Sequence, residues 1–131
     1  MIKRGRKDVP QTTLNKCHGG EGTIKVRQLL GIETKLPGVP GFSKDFDSCL
    51  SFMHETTLPP GTSIGLHEHK GNEELYFVIQ GRGEMTVDGE TQIMEPGDVC
   101  LTKSGSSHAF RNVGDTDLVI IVLEGLVAEK R

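Results

Sequence analysis

Hydrophobic and polar residues alternate with a period of two in a series of short segments, and nowhere does a 3.6-residue period run for ten positions. Ile24 and Val26 share one face of Thr23–Leu30, with Lys25 and Arg27 on the other, which predicts a strand. Phe46–Leu58 alternates again, placing Leu50, Phe52, His54 and Thr56 on one face, and Pro59-Pro60-Gly61 stops it. The intervening Gly31–Lys44 contains Pro37-Gly38-Val39-Pro40-Gly41 and reads as a loop. Beyond Gly61 the predicted strands are short and closely spaced: Thr62–His69, Glu74–Gln80, Glu84–Val87, Glu90–Met94, Val99–Thr102, His108–Val113 and Leu118–Leu123. Asp88-Gly89 suits a two-residue hairpin turn. Leu118–Leu123 is apolar without alternation, so both of its faces are expected to be covered.

Short strands at this spacing, punctuated by Gly, Pro and Asp-Gly, predict an all-β barrel or two-sheet jelly roll, which hides its edges by closing on itself. A chain of 131 residues fits one such domain. Residues 1–22 read as an N-terminal arm with room for one short strand, and residues 23–131 as a single barrel domain.

Composition narrows the function classes. Seventeen glycines and no tryptophan suit a turn-rich β protein. The net charge is −3, and the one positive cluster, Lys3, Arg4, Arg6 and Lys7, reads as a solvated terminal arm. Without those four, 11 basic residues stand against 18 acidic ones, a balance of −7, which speaks against a nucleic-acid partner. No window resembles a membrane-spanning helix, and the N-terminus lacks the apolar core of a signal peptide. Cys17, Cys49 and Cys100 are odd in number and far apart, which argues for a reducing compartment. The expectation is a cytoplasmic protein with no membrane partner.

The candidate chemistry lies in the histidines. His67 and His69, two apart on one strand, project to the same side, and Glu74 heads the next strand after Lys70–Glu73. Those two strands are expected to be antiparallel neighbours, with His108 brought across from a later one. Three imidazoles and one carboxylate suit one divalent transition metal per chain (Mn, Fe, Ni, Co, Cu or Zn) rather than Ca or Mg. Ligands converging from one wall leave positions open for water or a small-molecule ligand. An HxH pair alone is weak, but framed by Gly61, Glu74 and Gly81 its chance expectation drops to roughly 3 in 10,000. By strand phase the surrounding lining is Ser63 and Gly65, Tyr76 and Val78, and Phe110 and Asn112. The Tyr76 hydroxyl either meets a bound ligand or satisfies itself on backbone. Phe110 reads as core packing, with substrate stacking as the alternative. His54 reads either as a satisfied buried histidine or as a donor or base reaching the cavity. No Ser-His-Asp or Cys-His arrangement and no phosphate loop is apparent, so any chemistry rests on the metal.

Gly61–Gly81 resembles the first sequence motif of the cupin superfamily at every defined position. Gly97, Gly105, His108 and Asn112 resemble the second, with Lys103 where that family usually has proline. The short spacer Arg82–Pro96 is similar to that of small single-domain microbial cupins. The resemblance implies a double-sheet jelly-roll barrel and His67, His69, Glu74 and His108 as metal ligands. It also implies a homodimer in which an N-terminal strand packs on the partner. Gly19–Thr23 and the strand after it loosely resemble cupins related to oxalate-binding and oxalate-decarboxylase proteins. The expected function is a metal-dependent enzyme of decarboxylase or dioxygenase type, acting on a small chelating carboxylate or diketone-like compound. The alternative is a non-catalytic module that binds or senses a small acid.

Overall fold

The alternating segments form ten strands among the described residues of the computed structural model, which are 1–36 and 38–128. Pro37 of the predicted loop and the last three positions of the 23–131 barrel domain lie outside the described residues. The strands are β1 (Thr12–Asn15), β2 (Thr23–Gly31), β3 (Leu50–Leu58), β4 (Ser63–Glu68), β5 (Asn72–Gln80), β6 (Gly83–Val87), β7 (Glu90–Met94), β8 (Val99–Thr102), β9 (Ser107–Asn112) and β10 (Leu118–Leu126). They build two sheets with every pairing antiparallel, in the orders β1-β2-β3-β10-β5-β8 and β4-β9-β6-β7. The expected double-sheet jelly roll is what forms. Phe52, Leu58, Val78, Phe110, Leu118 and Ile120 are buried in the core cluster. The hairpin at Asp88-Gly89 has positive φ at both residues, as its turn type requires.

Several local expectations are corrected. β3 begins at Leu50 rather than Phe46, because the Asp45 carboxylate turns inward to accept from Gly31 N and to pair with Arg4. β4 and β5 are not hydrogen-bonded neighbours: β4 lies in the four-stranded sheet and β5 in the six-stranded one. The link between them, with Gly71 at φ +78°, crosses from sheet to sheet instead of closing a hairpin. β4 also carries a bulge between Ile64 and His67, opposite β9. That bulge reverses the phase of the strand. Ile64 is therefore the buried residue, and Ser63 and Gly65 pack outward against Gly19–Glu21. Asn112 does not line the site: its amide donates to Leu58 O and Thr116 O and its oxygen accepts from Gly114 N, latching a turn.

Lys3, Arg6 and Lys7 are exposed, as a solvated arm requires, but the segment is also tied down at two points. Arg4 makes a two-pronged pair with Asp45 at 2.6 and 2.8 Å and lies 3.6 Å over the Phe42 ring. Arg6 donates twice to Glu55. β1 pairs with β2 of the same chain, and the turn after it seats Gly20 against Gly65. A Cβ on Gly65 would lie 2.2 Å from His18 O, and one on Gly20 2.2 Å from Ser63 O. Both neighbours are backbone and have nowhere to go. Gly65→Ala is therefore expected to lower stability by about 2 kcal/mol, read from denaturant melts. A variant as stable as the parent would mean that this close approach is not maintained.

Within this chain β10 has full cover on one face only. Leu118, Ile120 and Val122 are buried, but Val119, Ile121 and Leu123 on the other face are only half-covered within the chain. Beside them stand Phe77 and Ile79 of β5 and Val99 and Leu101 of β8, all more than a third exposed.

Candidate metal centre

The two sheets supply the cluster jointly. His67 on β4 stands opposite His108 on β9 in the ladder of the four-stranded sheet, and Glu74 on β5 stands opposite Thr102 on β8 in the other. His69 lies just past the end of β4, where its N donates to Ser106 O and its O accepts from Gly105 N. One ligand atom from each of His67, His69, Glu74 and His108 lies within 4.8 Å of every other. Nε2 of His108 is 2.9 Å from Nε2 of His69, 3.1 Å from Nε2 of His67 and 3.3 Å from Oε1 of Glu74. The structure brings together all four residues that the spacing singled out.

What fixes the imidazoles is the partner of each Nδ1. His67 Nδ1 donates to Gly65 O at 2.7 Å, and His69 Nδ1 donates to Asn72 Oδ1 at 2.6 Å. His108 Nδ1 lies 2.7 Å from Thr102 Oγ1. A carbonyl only accepts, so the proton of His67 is on Nδ1 and its Nε2 is a bare lone pair. Asn72 commits its own amide to Lys70 O, which sets its oxygen toward His69. His67 and His69 then both aim bare Nε2 lone pairs at His108 Nε2, at 3.1 and 2.9 Å, where a single nitrogen has at most one proton to offer the two, an arrangement that a shared cation relieves. Burial pushes the His67 and His108 imidazoles down to about 3 and about 4, so both are neutral donors at neutral pH. Burial also pushes the Glu74 carboxyl up to about 7, a carboxylate short of positive charge. The donor set, its tautomers and its electrostatics fit a divalent transition metal.

A small cavity adjoins this cluster. Its polar walls are His18, Glu33, His54, His67, Glu74 and Tyr76, and the rest is mostly aliphatic, Ile24, Val26, Ile64 and Val122 among it. It leaves about 30 Å³ for the centre of a water-sized sphere. One water needs roughly 10–15 Å³ on that scale, so about two waters or a ligand of a few heavy atoms fit. Tyr76 lies buried with its hydroxyl 3.5 Å from His108 Nε2, and burial pushes its phenol well above the usual range. His54 reaches the cavity wall, stacked on Phe52 and 3.2 Å from Gln28 Oε1. Phe110 is buried behind Tyr76, edge to face at 5.3 Å, and is not part of the cavity wall.

Several site residues escaped the sequence reading. His18 sits in the left-handed region at φ 51° and stacks on the His67 ring at 3.7 Å, covering that ligand from the N-terminal side. Cys17 also lines the cavity, where burial pushes its thiol up to about 11, so it is protonated and unreactive. Thr102 and Asn72 hold ligands. Thr102 closes an otherwise apolar strand, and that was a legible signal. Gln28 gave one too, as a polar residue in phase with Ile24 and Val26 on the inner face of β2, whereas Glu33 gave none, because its loop has no periodic pattern.

Comparison with known proteins agrees with this geometry. The chain is 35% identical over 127 residues to an oxalate-binding protein of Thermotoga maritima, covering 94% of this chain and 95% of that one. A T. maritima crystal structure described as a predicted oxalate decarboxylase superposes with a TM-score of 0.80 at 30% identity, covering 97% of this chain and all of that one. A 5-nitrosalicylic acid 1,2-dioxygenase of Bradyrhizobium is 34% identical over 69 residues, 53% of this chain but 33% of its own length. Residues 54–124, which hold the whole His/Glu cluster, match the family described as Cupin domain, and to that family the chain belongs.

Proposed function

We propose that this protein binds one divalent transition metal through His67, His69, Glu74 and His108 and takes a small chelating carboxylate, with oxalate as the model compound, at the open side of that ion. The observation that carries the reading is the convergence of three Nε2 atoms on a buried carboxylate, each imidazole tied at Nδ1, at the edge of a cavity sized for a few heavy atoms. When bound, such an ion supplies Lewis acidity toward a carboxyl group, or a redox centre if it is Fe or Mn. The chain's own parts orient and insulate. Thr102, Asn72 and Gly65 O hold the imidazoles, the aliphatic wall excludes bulk water, and the Tyr76 hydroxyl stands beside His108. The enzymatic form of the reading is a decarboxylase or dioxygenase, and the cavity size favours a small acid over an aromatic substrate.

A second reading, holding oxalate without turnover, is favoured by the relative named an oxalate-binding protein, which matches along nearly its whole length. Metal analysis of protein purified without added metal is expected to give about one ion per chain. Titration calorimetry with oxalate should then show binding, while CO2 release and O2 uptake by the Mn and Fe forms separate enzyme from binder. Protein that takes up no metal would end both readings.

The same proposal includes a homodimer. Phe77, Val99 and Ile121 stand in one row across three strands and Leu75, Leu101 and Leu123 in the next, an apolar outer face on the six-stranded sheet that this chain leaves uncovered. A second copy placing the same face there buries both by symmetry. The double variant Phe77→Lys/Val99→Lys sets like charges across the twofold axis and is expected to run as a monomer in light scattering where the parent runs as a dimer. A monomeric parent would rule the dimer out. No helix among the described residues is long and apolar enough to cross a membrane.

A further inference from the structure

The wall of the cavity formed by the loop after β2 is built with more care than a passive wall needs. Gln28, fully buried on β2, donates from Nε2 to Val39 O and Pro40 O, and its Oε1 accepts from Glu33 N. The same Oε1 accepts from His54 Nε2. One amide thus fastens the loop at two points and orients His54 on β3. With the His54 proton committed at Nε2, its Nδ1 is a free acceptor, and it faces Glu33 Oε2 at 3.7 Å. That separation is longer than a hydrogen bond. The Glu33 carboxyl makes no hydrogen bond of its own among the described residues, yet it is 15% exposed and lines the same cavity as His67 and Glu74.

We propose that Glu33, backed by His54 and positioned by Gln28, is a second binding element of this cavity, which hydrogen-bonds the end of a small acid that faces away from the metal ligands. The inference rests on the reading of a metal-centred acid site and names its specificity. A diacid that presents two oxygens to the His/Glu cluster keeps two more pointing elsewhere, and each is a strong acceptor that is costly to bury unpaired. A neutral carboxyl is the group that satisfies such an oxygen without adding negative charge. The surroundings favour that form: burial first, then the charges of Glu74 and Glu124, push the Glu33 carboxyl up to about 8, with Lys35 opposing. A monocarboxylic acid, whose two oxygens both turn to the metal ligands, has nothing to offer Glu33.

The test is titration calorimetry of oxalate and of formate against metal-loaded protein, with metal content measured on each sample. Glu33→Leu is expected to weaken oxalate about tenfold or more while leaving formate within about twofold, with metal content unchanged. Glu33→Gln keeps a donor of the same shape and is expected to hold oxalate within about threefold of the parent. If Glu33→Leu binds oxalate as the parent does, or weakens both acids alike, the assignment is wrong. If Glu33→Gln loses as much as Glu33→Leu, the carboxyl is not acting as a donor and the proposal also falls. A parent that holds metal but neither acid overturns the metal-centred acid site itself, and that result is distinct from all of these.

Discussion

Replacing His108 with alanine is expected to strip the protein of its metal, the largest single effect open to test at this site. His108 has no exposed surface, and its Nε2 is the one atom within about 3.3 Å of both other imidazoles and of Glu74. Without it, His69, 3.5 Å from Glu74, is the one imidazole left to join His67 on the four-stranded sheet to Glu74 on the six-stranded one, and the donor set falls from four to three. Removing a partner that only orients a ligand costs roughly 10–100-fold in metal affinity, which sets the scale for Thr102→Val, where His108 loses the hydroxyl at Nδ1. Loss of the ligand itself must exceed that. The measurement is metal content by mass spectrometry after dialysis against a weak chelator. Because an alanine in a buried site also leaves a cavity, His108→Gln is run beside it to keep the volume filled. An undiminished ion in both variants would mean that the metal sits elsewhere.

How the sequence encoded this centre differs from residue to residue. His67 and His69 were legible because strand periodicity puts residues two apart on one side, and Glu74 and His108 because their spacing is fixed by the cupin motifs. The sheets they belong to were not legible in the same way. A four-residue connection is as compatible with a hairpin as with a crossing between sheets, and only the pairing of β4 with β9 decides it. The bulge after Ile64 was hidden for a related reason: Ser63, Ile64 and Gly65 keep the alternation in letters while the backbone breaks it in space. Recognising Gly65 as a residue in backbone contact with Gly20, rather than as a lining position, requires the N-terminal segment to be already folded onto β4. Glu33, Gln28 and His54 meet through long-range contacts from a loop and two strands, and no local pattern records such a meeting. The final strand was legible only in part. A continuous apolar run means two faces that avoid water, but it does not say whether the same chain covers both.

Stability toward acid supplies the second large effect, and it isolates His54. Burial pushes this imidazole from 6.5 down to about 3 in the folded chain. Above pH 6.5 folded and unfolded chains both hold it neutral, and it adds no pH dependence. Below 6.5 the unfolded chain takes up a proton that the folded chain refuses, so stability falls by about 1.4 kcal/mol per pH unit until about pH 3. Glu33 does not rescue the cation, because its carboxyl, pushed up to about 8, is already neutral across that range. Glu124, pushed up to about 7, works the other way, gaining protons in the folded state and stabilising it as pH drops. The whole-protein acid profile is therefore a sum of opposing contributions, and the difference between parent and variant is the informative quantity. His54→Gln retains a side-chain donor for Gln28 Oε1 and cannot titrate. Denaturant melts of metal-free protein, so that loss of the ion does not enter, are expected to show the parent losing about 3 kcal/mol more than His54→Gln between pH 7.5 and about pH 4. Parallel profiles would mean that His54 is protonated as readily inside the fold as outside it. The neutral Glu33–His54 pair in the cavity wall would then persist only above about pH 6.5, because below it an imidazolium there would draw the Glu33 carboxyl into an ion pair and away from any ligand oxygen.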